Sequence, residues 1–137
     1  MASKQPRPRS WAVVLSDGVR AWLKQLTKDD PVSAAQARAA INVLSEDGPG
    51  LGRPLVDTLK GSDIKNLKEL RPGSSGQSEI RILFVFDPVR QAVLLVAGDK
   101  QGDWKGWYQT AIREAERLYK EHCETLKTET VKKGKKK

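Results

Sequence analysis

The sequence predicts an α+β domain: a small antiparallel sheet with an N-terminal helical hairpin and a C-terminal helix. Three observations carry this. Helical periodicities come first, between residues 17 and 44; apolar strand patterns are grouped between residues 67 and 97; one more helical stripe follows from Tyr108. At 137 residues the chain has the length of one domain with one modest core.

Trp11 to Leu15 is a short β-prone run. Ser16-Asp17 then caps a helix whose Val19, Trp22, Leu23 and Leu26 fall at i, i+3, i+4 and i+7. Asp30 is the N-cap and Pro31 the first residue of a second helix. Ala34, Ala37, Ala40, Ile41 and Leu44 form its stripe, and small residues there let two helices approach closely as a hairpin. Ser45 to Gly52 is a break, and Arg53 to Gly61 is expected to be irregular or a short turn.

Leu67 to Arg71 is the next strand, followed by a Gly/Ser turn. Ile80, Ile82, Phe84 and Phe86 then alternate with Arg81, Leu83 and Val85, so one face is apolar and the other begins with a charge. Val93 to Ala97 is apolar throughout, as suits a central strand covered on both sides. Asp87 to Arg90 is a turn that makes these two strands antiparallel neighbours. A polar loop with Trp104, Trp107 and Tyr108 leads to a helix from about Trp107 to Cys123, its core stripe being Tyr108, Ala111, Ile112, Ala115, Leu118 and Tyr119. The expected organisation is a flexible basic arm (1–10), one domain (11–123) and a disordered Lys-rich tail (124–137).

Hydrophobic content of 38% and charge of 31% fit a soluble globular protein, and no apolar run is long enough to span a membrane. The basic N-terminus lacks the apolar segment of a secretory signal. A lone Cys123 gives no internal disulfide and fits a reducing cytoplasm. The net charge of +8 is misleading about the body. Nine of the 25 basic residues and one of the 17 acids lie in residues 1–9 and 127–137, leaving sixteen of each sign between. The tails attract any polyanion without specifying one.

Cations at strand ends (Arg71, Arg81 and Lys100) suggest a rim that handles phosphate by placement rather than by bulk potential. The order of elements, Glu69-Leu70-Arg71, a later strand opening with Arg81, and a third ending in Gly98-Asp99-Lys100 together resemble the RelE/HigB family of toxins. The phage-derived, Gp49-like and HigB-like branch is the nearest in pattern, and the likeness runs from about Trp11 to His122. The resemblance implies a compact RelE/ParE-like microbial RNase fold and mRNA cleavage on the ribosome. It also implies a cognate antitoxin encoded next door, of helix-turn-helix type in the HigB branch, whereas the ParE branch acts on gyrase instead. Arg81 matches the family's phosphate-stabilising arginine, Lys100 the basic residue ending the last strand, and Arg71 the arginine closing the earlier strand. Tyr108 lies one or two residues from a tyrosine of some members. Leu67 and Glu69 stand where RelE has lysines.

Scission of RNA by its 2′-hydroxyl needs a base, charge relief for the phosphorane and an acid for the departing 5′-oxygen. Arg81 and Arg71 are candidate clamps, permanently charged and bidentate. Lys100 can stabilise charge or act as the acid. Glu69 is either a cross-strand salt-bridge partner or the base; Tyr108 becomes a base if cations lower its pKa. Lys68, Lys105, Trp104 and Trp107 are candidates for RNA contact, with core packing the competing fate of the tryptophans. His122, the only histidine, is read as a residue near a helix C-terminus; a His pair is impossible, and with Cys123 it makes no zinc set. No cofactor or metal is expected. The expectation is thus a cytoplasmic, metal-independent endoribonuclease toxin, with a toxin-fold binding module lacking RNase activity as the alternative.

Overall fold

The structure is a computed structural model that describes the backbone of residues 11–135 and side chains as far as Glu129. The basic arm 1–10 lies outside the described residues. In chain order the elements are β1 (Ala12–Leu15), α1 (Asp17–Asp29), α2 (Pro31–Asp47), β2 (Val56–Thr58), β3 (Lys68–Leu70), β4 (Ile80–Phe86), β5 (Gln91–Asp99) and α3 (Trp104–Lys135), with a single 3-10 turn at Gly48–Gly50. The five strands form one sheet in the order β1-β5-β4-β3-β2. This is the α+β architecture of the RelE-like fold.

Both predicted caps form. Ser16 Oγ accepts from Val19 N at 3.1 Å, and Asp30 Oδ1 accepts from Ser33 N at 3.1 Å with Pro31 in the first turn. Each satisfies a backbone donor that the helix itself leaves unpaired. The helical hairpin covers one face of the sheet. Val19, Ala40 and Leu44 pack there on Leu70, Ile82, Phe84 and Leu94. Ala34 and Ala37, wholly buried, complete the small-residue stripe on α2. α3 covers the other face, its Ala111 and Ala115 against Leu67, Leu83, Val85, Val93 and Leu95. Truncating Leu83 or Phe84, both fully buried, removes contacts worth about 2–5 kcal/mol.

Four features differ from the expectations. The sheet is mixed: β1 runs parallel to β5, pairing Val13 with Ala92 and Leu15 with Leu94. A strand cut off from the rest by a helical hairpin is free of the geometry that makes hairpin neighbours antiparallel. Val56–Thr58, expected to be irregular, is a strand because β3 offers it a free edge. α3 begins at Trp104 and continues to Lys135, so the segment from residue 124 expected to be disordered is helical to that point. Its Glu, Leu and Lys residues are good helix formers, and no proline interrupts them.

His122 is the fourth. It lies well inside α3, and its Nε2 donates to Asp87 Oδ2 at 2.8 Å. Asp87 also accepts from the backbone N–H of Val89 and of Gln91, and from Gln91 Nε2 at 2.6 Å. The pair therefore clamps α3 onto the β4–β5 turn.

A bulge in the β4–β5 ladder bears directly on the site. Leu83 pairs with Val96 but Phe84 pairs with Leu94, so Leu95 is the extra residue. Leu95 and Val96 consequently both face α3. Beyond them the alternation is reversed, bringing Gly98 and Lys100 onto the α3 face.

Candidate active site

Four elements converge at the end of the sheet beneath the first turn of α3. Register places Asp57, Glu69 and Leu83 side by side on β2, β3 and β4, and Arg81 opposite Gly98. Arg71 follows two residues after Glu69 on the same face, its backbone N–H held by Leu55 O at 2.8 Å. Trp107 lies directly over Gly98, where a Cβ would meet its indole Nε1 at 2.5 Å. That close approach needs glycine, and it seats the start of α3 on the strands. Asp103 fixes the same turn, its Oδ1 accepting from Gly106 N.

The centre of the cluster is Glu69, only 3% exposed. Tyr108 Oη donates to its Oε1 at 2.5 Å. Arg81 Nε lies 3.7 Å from the same oxygen, and Arg71 Nε lies 3.6 Å from Oε2. Those two separations are ion-pair distances, too long for hydrogen bonds. Both Nε groups are buried without a hydrogen-bond acceptor among the described residues. An unsatisfied buried donor costs about 1–3 kcal/mol. The two arginines are therefore held close to the carboxylate but not consumed by it.

Glu79 gathers the outer cations: its Oε1 lies 3.4 Å from Lys100 Nζ and 3.9 Å from Arg81 Nη2. Arg81 is further fixed by Nη1 donating to Ile80 O at 2.8 Å. Asp57 performs the same service for Arg71 at 3.9 Å, while bonded to Arg53 at 3.0 Å. Lys100 Nζ also stands 5.7 Å from the centre of the Tyr108 ring. Five groups named from the sequence (Glu69, Arg71, Arg81, Lys100 and Tyr108) thus meet in one place.

The environment of Tyr108 reverses one expectation. Burial, then the hydrogen bond to Glu69 and the charge of Glu69, push its pKa up to about 12, outweighing the opposing pull of Arg81. Near neutral pH it is a protonated donor, and it is no base.

The candidates for RNA contact divide. Trp104, 55% exposed, and Lys105, whose Nζ lies 5.8 Å from its ring centre, sit together at the rim. Trp107 is occupied in packing on Gly98 and Tyr108. Lys68 is on the opposite face of β3 from Glu69 and donates to Thr58 Oγ1 at 3.0 Å, away from the cluster. Sequence reasoning missed Asp57 and Glu79. Glu79 stands two residues before Arg81, a same-face spacing that strand alternation could have flagged. Asp57 had no such signal, because a strand of three residues has no visible period.

Residues 21–120 match the family of phage-derived Gp49-like proteins. The candidate toxin HigB2 of Mycobacterium tuberculosis is 49% identical over 119 residues, 87% of this chain. The chain spans 58% of that relative's length. The candidate toxin HigB3 of the same organism is 48% identical over 101 residues, covering 74% of this chain and 83% of the relative. No solved structure matches the chain.

Proposed function

The chain belongs to the HigB-like branch of the phage-derived Gp49-like family, and from that premise we propose that it is the toxin of a toxin–antitoxin pair, an endoribonuclease that cleaves mRNA on the ribosome. The observation that carries this reading is the convergence of Arg71 and Arg81 on Glu69 at ion-pair distance without a hydrogen bond to it. The exposed part of these two side chains, 33% for Arg71 and 13% for Arg81, is what a scissile phosphate would meet, and the planar fork of arginine suits the equatorial oxygens of a phosphorane.

In the proposed reaction Glu69 takes the proton of the 2′-hydroxyl. The 2′-oxygen attacks phosphorus, the bond to the 5′-oxygen breaks, and a 2′,3′-cyclic phosphate and a 5′-hydroxyl result. Lys100 gives the departing oxygen its proton, and Arg81 and Arg71 carry the phosphorane charge. Tyr108, held protonated, orients Glu69. Trp104 and Lys105 offer a base-stacking and phosphate-binding rim. The proposed reaction uses no metal, and a neighbouring helix-turn-helix antitoxin is the proposed partner.

The alternative is a toxin-fold binding module without RNase activity, and the burial of Glu69 favours it. Induced expression with mapping of mRNA 5′ ends separates the two. Cuts phased to codons and lost in Arg81→Ala are expected, a loss of roughly 10²–10³ in rate. Growth arrest with intact mRNA would overturn the RNase reading.

A further inference from the structure

We propose that Glu79 is a displaceable counter-ion: it neutralises Lys100 and Arg81 in the free protein and gives way to a phosphate of bound RNA. The inference deepens the RNase reading and rests on it for RNA as the ligand.

Charge is balanced in the cluster. Arg71, Arg81 and Lys100 stand against Asp57, Glu69 and Glu79, joined by ion-pair contacts of 3.4 to 3.9 Å. A neutral cluster attracts a phosphate weakly, so binding one calls for an acid to leave. Two of the three acids are tied down. Glu69 is buried and accepts from Tyr108, and Asp57 accepts from Arg53 and from the backbone N–H of Thr58. The Glu79 carboxylate accepts no hydrogen bond among the described residues and makes only its two ion pairs. Its side chain is 50% exposed, against 15% for Lys100 and 13% for Arg81. Glu79 is the acid that water can receive.

The backbone beneath it is fixed. Glu79 N donates to Asp99 Oδ1 at 2.9 Å, and Lys100 N donates to Glu79 O at 3.0 Å. Asp99 Oδ1 also accepts from Gln101 N at 2.9 Å, so the middle residue of Gly98-Asp99-Lys100 holds both chains at this junction. Displacement thus needs only a turn of the Glu79 side chain, a fast event at an exposed position. A phosphate brings more oxygens than the carboxylate and takes charge-assisted bonds from both cations. Selectivity follows. A small free anion must compete with a tethered carboxylate at high effective concentration, whereas a phosphate carried by RNA is itself held by its neighbours.

A short fluorescein-labelled RNA, 2′-O-methylated throughout, keeps its phosphates and lacks the attacking hydroxyl. Anisotropy then reads its binding to the full chain without cleavage. Glu79→Gln and Glu79→Ala are expected to bind it more tightly than the wild type by about fivefold, the scale of one exposed ion pair. In a Lys100→Met background the gain should shrink, since one of the two cations to be released is gone. Glu46→Gln is the control, because it changes the net charge equally. Glu46 is exposed on α2 beside Ser45, which meets Trp11 and through it Phe86 at the far end of β4. Its effect should stay within about twofold at physiological salt, where the screening length is ~8 Å. Unchanged or weaker binding by both Glu79 variants, or an equal gain from Glu46→Gln, would overturn the proposal. Cleavage of mRNA on ribosomes separates its failure from that of the RNase reading. Phased cuts by the wild type with no gain at Glu79 overturn the counter-ion alone. A gain at Glu79 without any cuts supports the counter-ion and overturns the RNase reading.

Discussion

Glu69 and Asp87 are both buried carboxylates on the α3 side of the sheet, held in opposite ways. Asp87 receives short hydrogen bonds on both oxygens from the backbone, Gln91 and His122. Glu69 receives one, from Tyr108, while two arginines stand about half an ångström beyond hydrogen-bond reach. The two carboxylates mark the ends of one docking surface. Tyr108 to His122 spans about 21 Å of helix, and Arg81 to Asp87 about 20 Å of strand. A carboxylate whose acceptor capacity is used up locks a fold; one with charged donors left over is equipped for a ligand.

The largest effect expected from this contrast is on Glu69→Gln, which keeps the shape and removes the proton acceptor. RNA cleavage measured on purified ribosomes should fall by roughly 10²–10⁴ with the fold intact. Activity retained within a factor of a few would remove Glu69 from the chemistry. Asp87→Asn should behave in the converse way. Unfolding in urea should lose about 1–3 kcal/mol, because buried donors lose a charged acceptor, while cleavage per folded molecule is unchanged.

Acidification sharpens the contrast. Burial opposes the charge of Asp87, but hydrogen bonds from His122, Gln91 and the backbone outweigh it and hold its pKa below the ordinary 3.8. A depressed folded pKa contributes stability that is present above 3.8 and lost as pH falls through the folded value. Acid unfolding of the wild type should therefore be steeper below pH 3.8 than that of Asp87→Asn, as followed by circular dichroism. The smallest effect is spectroscopic. Both tyrosines, 108 and 119, should ionise near 12 by tyrosinate absorbance, and Glu69→Gln should bring only Tyr108 down. Both moving, or neither, would mean that Glu69 is not what separates them.

The helical hairpin, the β4–β5 pair and the stripe on α3 were legible because each repeats a period long enough to recognise. Their caps were legible because Ser16 and Asp30-Pro31 act locally. The parallel pairing of β1 and the existence of β2 were not, since both depend on which edge a short segment meets in space. Arg71, Arg81 and Lys100 stood out as strand-end cations in a pattern resembling a family. Tyr108 lies in the cluster beside Glu69, but its titration runs opposite to the expectation, because the sign depends on burial and on Glu69 rather than on the number of cations nearby. His122 was misread for a related reason: its partner is 35 residues away in sequence and adjacent only in the folded chain.

The bulge at Leu95 shifts the phase of everything downstream in β5. The run from Val93 to Ala97 is apolar on both faces, so hydrophobic pattern alone does not fix how it slides against β4. Whether Gly98 and Lys100 face α3 or the helical hairpin is decided by one extra residue. In a relative that lacks that residue, the same Gly-Asp-Lys letters would point Lys100 at the other layer of the molecule. Correspondence at this site must therefore be counted from Gly98 onward and not from the start of the strand.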